Sequence, residues 1–220
     1  MGAAVAGKLH GVSLSPFVRK VRAVLALKSI DYELVTVLPG AMDAAFLAKS
    51  PLSKIPVWEE DGFTLPDSTV ICAYLERVVP EPAIHPEEAK TFARALFWEE
   101  YADTRLVDAG TPLFFQRVVQ GRFYDQPVDE VVVRRQVDEI LPPVLDQIEA
   151  LFIPEKAVSS TDTLTIANLS MWAPFVNLAH ADFEMDAGRW PGLAAFVARM
   201  GEHEILRALV EEERAMMPAH

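Results

Sequence analysis

The sequence predicts a chain in two parts, an α/β half followed by an all-α half. Three observations carry this. Short apolar and alternating runs that suit strands are interleaved with helical periods up to about residue 79. After residue 87 the strand signals nearly vanish, and apolar residues recur at three- and four-residue steps. Between the two lies Val79-Pro80-Glu81-Pro82-Ala83-Ile84-His85-Pro86, where three prolines in seven residues cannot continue a helix and read as a linker. The expected divisions are an α/β domain over 1–79, a linker over 80–86 and a helical domain over 87–220.

The first element is the stretch from Leu9 to Arg22, a short apolar strand that turns into a helix through Ser15-Pro16. Proline is tolerated in a first helical turn, where its missing N–H costs nothing. Asp31-Tyr32-Glu33-Leu34-Val35-Thr36-Val37 alternates enough to be a strand. A loop and a short helix lead to Lys54-Ile55-Pro56-Val57-Trp58, then Gly62-Phe63-Thr64-Leu65-Pro66-Asp67-Ser68 and a helix through Arg77. Strand, helix, strand, helix, two short strands, helix is the order of a thioredoxin-like domain.

In the second half, Glu87 to about Gln120 reads as one long helix kinked at Pro112 and ended by Gly121. A turn through Pro127 precedes a second long helix over Val128–Phe152, which Pro142-Pro143 should bend or locally break. A loop over Pro154–Ser160 follows, and further helices begin near Thr165, Pro191 and Ile205, the last running to Met216. Thr165-Ile166-Ala167-Asn168 has the form of a capping box. The run Glu211-Glu212-Glu213 reads as a solvated helix face. Internal repeats and low-complexity segments are absent from the sequence.

Composition narrows the function classes. A chain of 220 residues can bury a sizeable core. Although 51% of it is hydrophobic, no run approaches the roughly 20 apolar residues of a membrane span. The start, Met1 to Lys8, is too short and lacks the basic start of a signal peptide. Met1-Gly2 superficially permits myristoylation, but Ala6 stands where that motif wants Ser or Thr. The expected location is the cytoplasm. The single cysteine, Cys72, excludes an internal disulfide framework and, lying in the helical run 69–75, reads as a packed thiol. The five histidines lack ligand spacing, so no metal site is expected, and His203 and His220 read as solvated. A net charge of −12 argues against nucleic acid and against anionic membranes. Against that background Arg19, Lys20 and Arg22 read as a local positive patch suited to a small anionic ligand.

Ser15 sits at the positive end of the first helix, where orphan N–H groups and a dipole of about half a charge could hold a thiolate or carboxylate. The plainer reading is an N-cap worth about 1 kcal/mol.

With Ser15-Pro16-Phe17, Ile55-Pro56 and Asp67-Ser68 in register along this element order, the chain resembles the cytosolic glutathione transferases over essentially its whole length. The resemblance implies a thioredoxin-like N-terminal domain and a C-terminal helical bundle. It makes Ser15 the catalytic serine of a serine-type transferase. A serine hydroxyl is too weakly acidic to be a general base, but it can donate to a sulfur anion. A thiol titrating near ~8.5 must be lowered by about two units, roughly 2.7 kcal/mol, to be mostly ionised at neutral pH. One charge-assisted hydrogen bond of about 1.5–3 kcal/mol plus a helix N-terminus can supply this. Ser13 carries a second hydroxyl nearby and ranks below Ser15 because the Ser-Pro-Phe match puts the helix start at Ser15.

The same resemblance assigns glutathione binding to Phe17, Lys54, Ile55, Pro56, Asp67 and Ser68. Ile55-Pro56 matches a cis-proline position, which leaves the Ile55 backbone free to pair with a bound peptide in strand-like fashion; a trans proline opening a strand is the ordinary alternative. Lys54 is placed to meet a glycyl carboxylate, or is a surface lysine. Ser68 would bind the γ-glutamyl carboxylate at a helix N-terminus. Asp67 is a methylene shorter than the family's usual Glu or Gln, and serves equally as an N-cap. An apolar site for the second substrate, expected between the domains, draws on Phe17, Tyr101, Phe114, Phe115, Trp172 and Phe175, residue types that at helical spacing also read as core. Where the family usually has Ser/Thr-x-x-Asp, Asn168 replaces the acid, forgoing a charge–dipole contribution of about 0.3–1 kcal/mol.

The implied reaction is attack of glutathione thiolate on a hydrophobic electrophile, with glutathione as co-substrate, no metal or redox cofactor, and a homodimer formed through the first helices of the second domain. A maleylacetoacetate isomerase-type chain would read Ser-Ser-Cys in place of Ser15-Pro16-Phe17, and a glutathione-dependent reductase would carry cysteine at 15. Peroxidase activity needs only an activated thiolate and stays open. A non-catalytic transferase-like scaffold or regulatory protein is the alternative from another class, one that need not keep Ser15, Ile55-Pro56 and Ser68 together.

Overall fold

The structure, a computed structural model, describes residues 6–218, so Met1-Gly2 and His220 lie outside the described residues. The chain divides into two compact units, Met1–His85 and Pro86–His220.

In the first unit, β1 (Ala6–Gly11), α1 (Pro16–Leu27) and β2 (Asp31–Thr36) form a parallel crossover. After α2 (Ala44–Lys49) come β3 (Val57–Glu60) and β4 (Phe63–Pro66), then α3 (Ser68–Val78). The sheet order is β2-β1-β3-β4, with Leu9 opposite Leu34 on one side and Trp58 on the other. The β3–β4 hairpin turns at Asp61-Gly62, both at positive φ, as a two-residue turn matching strand twist requires. Val18, Val21, Val24 and Leu25 of α1 and Ile71, Cys72 and Leu75 of α3 are buried, one stripe from each helix at helical spacing. Cys72 is thus the packed thiol its neighbours suggest.

Residues 80–85 belong to this unit and are laced to it. The buried Lys28 ammonium donates to Glu76 Oε2 (2.6 Å), Val79 O (2.8 Å) and Pro82 O (2.9 Å). Glu76 Oε1 in turn accepts from the Ile84 and His85 amides, each at 3.0 Å. The proline-rich stretch stops a helix, but its Pro82 carbonyl and its Ile84 and His85 amides are bonded to Lys28, just after α1, and to Glu76 of α3.

The second unit is helical throughout. One long run starts with α4 (Ala89–Tyr101), passes through a wider π turn (Ala102–Leu106) into α5 (Val107–Phe114), and ends in a second π segment (Phe115–Phe123). It therefore passes Pro112 without ending and continues beyond Gly121 to Phe123. A second run comprises α6 (Glu130–Arg135), π residues Gln136–Ile140, α7 (Leu141–Gln147) and π residues Ile148–Phe152. Pro142-Pro143 does not break it. The widened turn lies just before the two prolines and relieves the clash that their rings would make with the carbonyls of an α turn. A single turn, α8 (Lys156–Ser159), occupies part of the expected loop.

The centre of the unit is α9 (Ile166–His180), buried at every residue except Ala179. α10 (Pro191–Glu202) and α11 (Glu204–Met216) follow. Two surface expectations are corrected here. Glu213 is fully buried, 3.0 Å from His180 Nε2, because each helical step of about 100° turns one carboxylate of the acidic run inward. His203 is half-buried at the start of α11, with Nδ1 enclosed.

Candidate functional site

The first unit gathers the sequence-predicted residues around two helix N-termini and one loop. At the end of β1 the Ser15 amide donates to Val12 O (3.0 Å), a tight turn that delivers Ser15 as N-cap of α1 with Pro16 in the first helical position. The Ser15 hydroxyl accepts from the Val18 amide only at 3.5 Å, and its own proton has no acceptor among the described residues. Ser15 and Phe17 are half-buried. Ser13, by contrast, is 4% exposed and its Oγ is enclosed without a hydrogen-bond partner among the described residues. Of the two hydroxyls, Ser15's is the one a ligand can reach.

The loop before β3 reaches this turn. A Cβ added to Gly11 would lie 2.5 Å from Val18 Cγ2 and 3.5 Å from Ile55 Cβ, so only glycine lets the strand end, α1 and Ile55 approach so closely. The Ile55–Pro56 peptide is cis. Pro56 is buried and Lys54 exposed. α3 begins nearby, since Val57 pairs with Pro66 in the β3–β4 ladder. Its N-cap, Asp67, has φ 80 and turns its carboxylate onto its own helix, accepting from the Thr69 (3.0 Å) and Val70 (3.2 Å) amides. That is the capping role of the short side chain. Ser68, at the first position of α3, is 4% exposed.

The three basic residues of α1 are not an open positive patch. Arg19, Lys20 and Arg22 are 0%, 1% and 5% exposed. Lys20 Nζ donates to Thr69 Oγ1 (3.3 Å) and Arg22 Nε to Tyr32 Oη (2.7 Å). Buried cations need polar partners, and Lys20 uses its charge to tie α1 to the first turn of α3. Tyr74 and Trp58 both donate to Glu60, Trp58 at 2.7 Å, and the carboxylate beside Tyr74 pushes its pKa up to about 12.

The proposed second-substrate residues are separated by the helical unit. Tyr101 donates to Gln147 Oε1 (2.8 Å), and its ring packs 5.3 Å from that of Trp98; burial pushes its pKa up. Trp172 and Phe175, each 2% exposed, are core residues of α9 and offer a ligand no open surface, contrary to expectation. A helix buried on nearly all sides gives its aromatics no exposed face. Phe114 is half-buried and Phe115 is 42% exposed. Among the described residues there is no group of three or more His, Cys, Asp or Glu placed to hold a metal, and no helix long and apolar enough to cross a membrane.

Residues 9–83 match the family model described as the glutathione S-transferase N-terminal domain. The uncharacterized GST-like protein YibF of Escherichia coli is 32% identical over 165 residues, which cover 74% of this chain and 78% of YibF. The chain belongs to the glutathione S-transferase family. A probable glutathione S-transferase of Oryza sativa subsp. japonica is 35% identical to this glutathione S-transferase family member over 114 residues, spanning 49% of the chain and about half, 48%, of the rice protein. The crystal structure of a glutathione S-transferase from Rhodospirillum rubrum superposes with a TM-score of 0.80 at 27% identity, covering 92% of this chain and 91% of that one. The thioredoxin-like unit followed by a helical unit is thus the glutathione S-transferase fold. In this family member, Ser15, Ile55-Pro56 and Ser68 lie within the segment that the family model matches.

Proposed function

We propose that the chain is a glutathione transferase in which Ser15 stabilises the glutathione thiolate for attack on a hydrophobic electrophile. The observation that carries this is Ser15 itself. It is an accessible hydroxyl at a helix N-terminus, with its proton uncommitted among the described residues, beside the Ile55–Pro56 loop. The hydroxyl and the helix dipole favour the anion over the thiol. The backbone of Ile55 would hold the cysteinyl part of glutathione, Ser68 at the α3 N-terminus the γ-glutamyl carboxylate, and Lys54 the glycyl carboxylate. Phe17 completes the site, while Asp67 acts by fixing the start of α3.

The thiolate sulfur forms the new bond to the electrophilic carbon, and a leaving group or a proton balances the charge. The reading includes a cytoplasmic homodimer, formed through the first helices of the second unit, that uses no metal or redox cofactor. The test is the thiolate absorbance of bound glutathione against pH, for the wild type and Ser15→Ala. A thiol titrating well below the free value, and reverting in the variant, supports the proposal. Failure to bind millimolar glutathione overturns it in favour of a scaffold.

A further inference from the structure

We propose that Ser50, a residue outside the ligand-binding set, is a positioning residue that aims the Ile55 N–H at glutathione; this rests on the proposed function above. Ser50 is fully buried, and its hydroxyl spends its capacity on one residue. It donates to Lys54 O at 2.7 Å and accepts from the Lys54 N–H at 3.1 Å. A buried hydroxyl has to be satisfied, and here satisfaction closes a ring over residues 50–54.

The consequence lies in peptide geometry. The Lys54 carbonyl and the Ile55 N–H belong to one planar trans unit and point in opposite directions. Holding that carbonyl against a buried hydroxyl therefore directs the Ile55 N–H away from the interior, where a peptide backbone can receive it. Ser50 is itself fixed. Its amide donates to Phe46 O (2.9 Å) as α2 ends, and its carbonyl accepts from the Ser53 amide (2.8 Å). The neighbouring Lys49 binds Glu59 Oε2 (2.5 Å), which also meets His10 Nε2 (2.7 Å). The chain of contacts runs from β1 and β3 through α2 to Ser50 and ends at the peptide that Ile55 offers. Among the described residues Lys54, whose side chain is exposed, is held only through its backbone, so its side chain stays available for a carboxylate.

Ser50→Ala and Ser50→Thr test this by steady-state kinetics, thiol titration of bound glutathione and amide hydrogen exchange. In Ser50→Ala, KM for glutathione rises about tenfold, the equivalent of one net hydrogen bond. In the same variant kcat at saturation and the thiol titration stay as in the wild type, because Ser15 is untouched, and exchange accelerates only at residues 53 and 54, whose amides bond to Ser50. Ser50→Thr keeps the hydroxyl and returns KM to within about twofold. An unchanged KM in a folded Ser50→Ala protein overturns the proposal, as does a joint shift of KM, kcat and thiol titration with thermal stability. If the wild type binds no glutathione, the functional reading fails and the aim at glutathione falls with it. Acceleration confined to residues 53 and 54 then shows only that Ser50 holds the Lys54 peptide, and unchanged exchange there overturns even that hold.

Discussion

The Asn168 side chain bridges two backbones: its amide nitrogen donates to Val158 O at 2.8 Å, while its oxygen accepts from the Thr165 N–H at 2.9 Å. Asn168 N–H returns a bond to Thr165 Oγ1 at 3.4 Å, which completes the capping box of α9. A carboxylate could accept from Thr165 but has nothing to donate to Val158. The Asn168 amide therefore ties the single turn α8 to the central helix.

Asn168→Asp should accordingly destabilise this chain. The gain of a charge at a helix start is about 0.3–1 kcal/mol. Setting a buried carboxylate against an unpaired carbonyl costs more, about 1–3 kcal/mol. Urea unfolding at neutral pH is the check, and a stabilised variant would show that the Val158 bond contributes nothing.

Ser15→Ala should separate stability from activity. The cap bond at 3.5 Å is long, so the loss of stability stays under about 1 kcal/mol. Removing a charge-assisted donor to the thiolate lowers kcat/KM about 10- to 100-fold. Thermal melts and kinetics on one preparation decide it; equal losses in both would make Ser15 only a cap.

Glu76 gives stability a pH dependence. Burial works to raise its pKa, but the bonds from Lys28 and from the His85 and Ile84 amides outweigh it and hold the carboxyl below its ordinary 4.5. A depressed carboxyl means the unfolded chain binds the proton more readily. Its contribution is complete above about pH 5.5 and is lost as pH falls through and below 4.5. Glu76→Gln leaves the Lys28 ammonium without its counter-charge; partial solvent access to Glu76 reduces the usual cost to about 2 kcal/mol. Unfolding midpoints between pH 7 and pH 3 should fall less steeply in Glu76→Gln than in the wild type. Parallel profiles would remove Glu76 as a source of acid sensitivity.

Trp172 and Phe115 should behave oppositely. Trp172→Ala opens a cavity in the core and costs about 3–5 kcal/mol. Phe115→Ala, at a residue 42% exposed, leaves stability within about 0.5 kcal/mol. Melting curves distinguish the two; a Phe115→Ala protein that melts as early as Trp172→Ala would make Phe115 a core residue.

The sequence by itself determined what depends on near neighbours. Alternation and helical period set the order from β1 to α3 and the sites of α9, α10 and α11. Ser15, Asp67 and Thr165 were legible as caps because a cap needs only residues two or three positions on. The tertiary structure decided what a one-dimensional pattern does not encode, namely which face of each helix turns inward. The cations of α1 look like an open patch in sequence, yet they are buried, Lys20 against Thr69 and Arg22 against Tyr32, 49 and 10 residues away. Glu213 is drawn in by His180, and Trp172 and Phe175 are enclosed because α9 is surrounded. Pro142-Pro143 was visible as a disturbance, but its relief by a widened turn depended on packing that keeps the helix running. Ser50 carried no signal beyond being a small polar residue before a proline. Its role arises only when the chain folds back to put Lys54 against it, at a burial that leaves its hydroxyl no water to turn to.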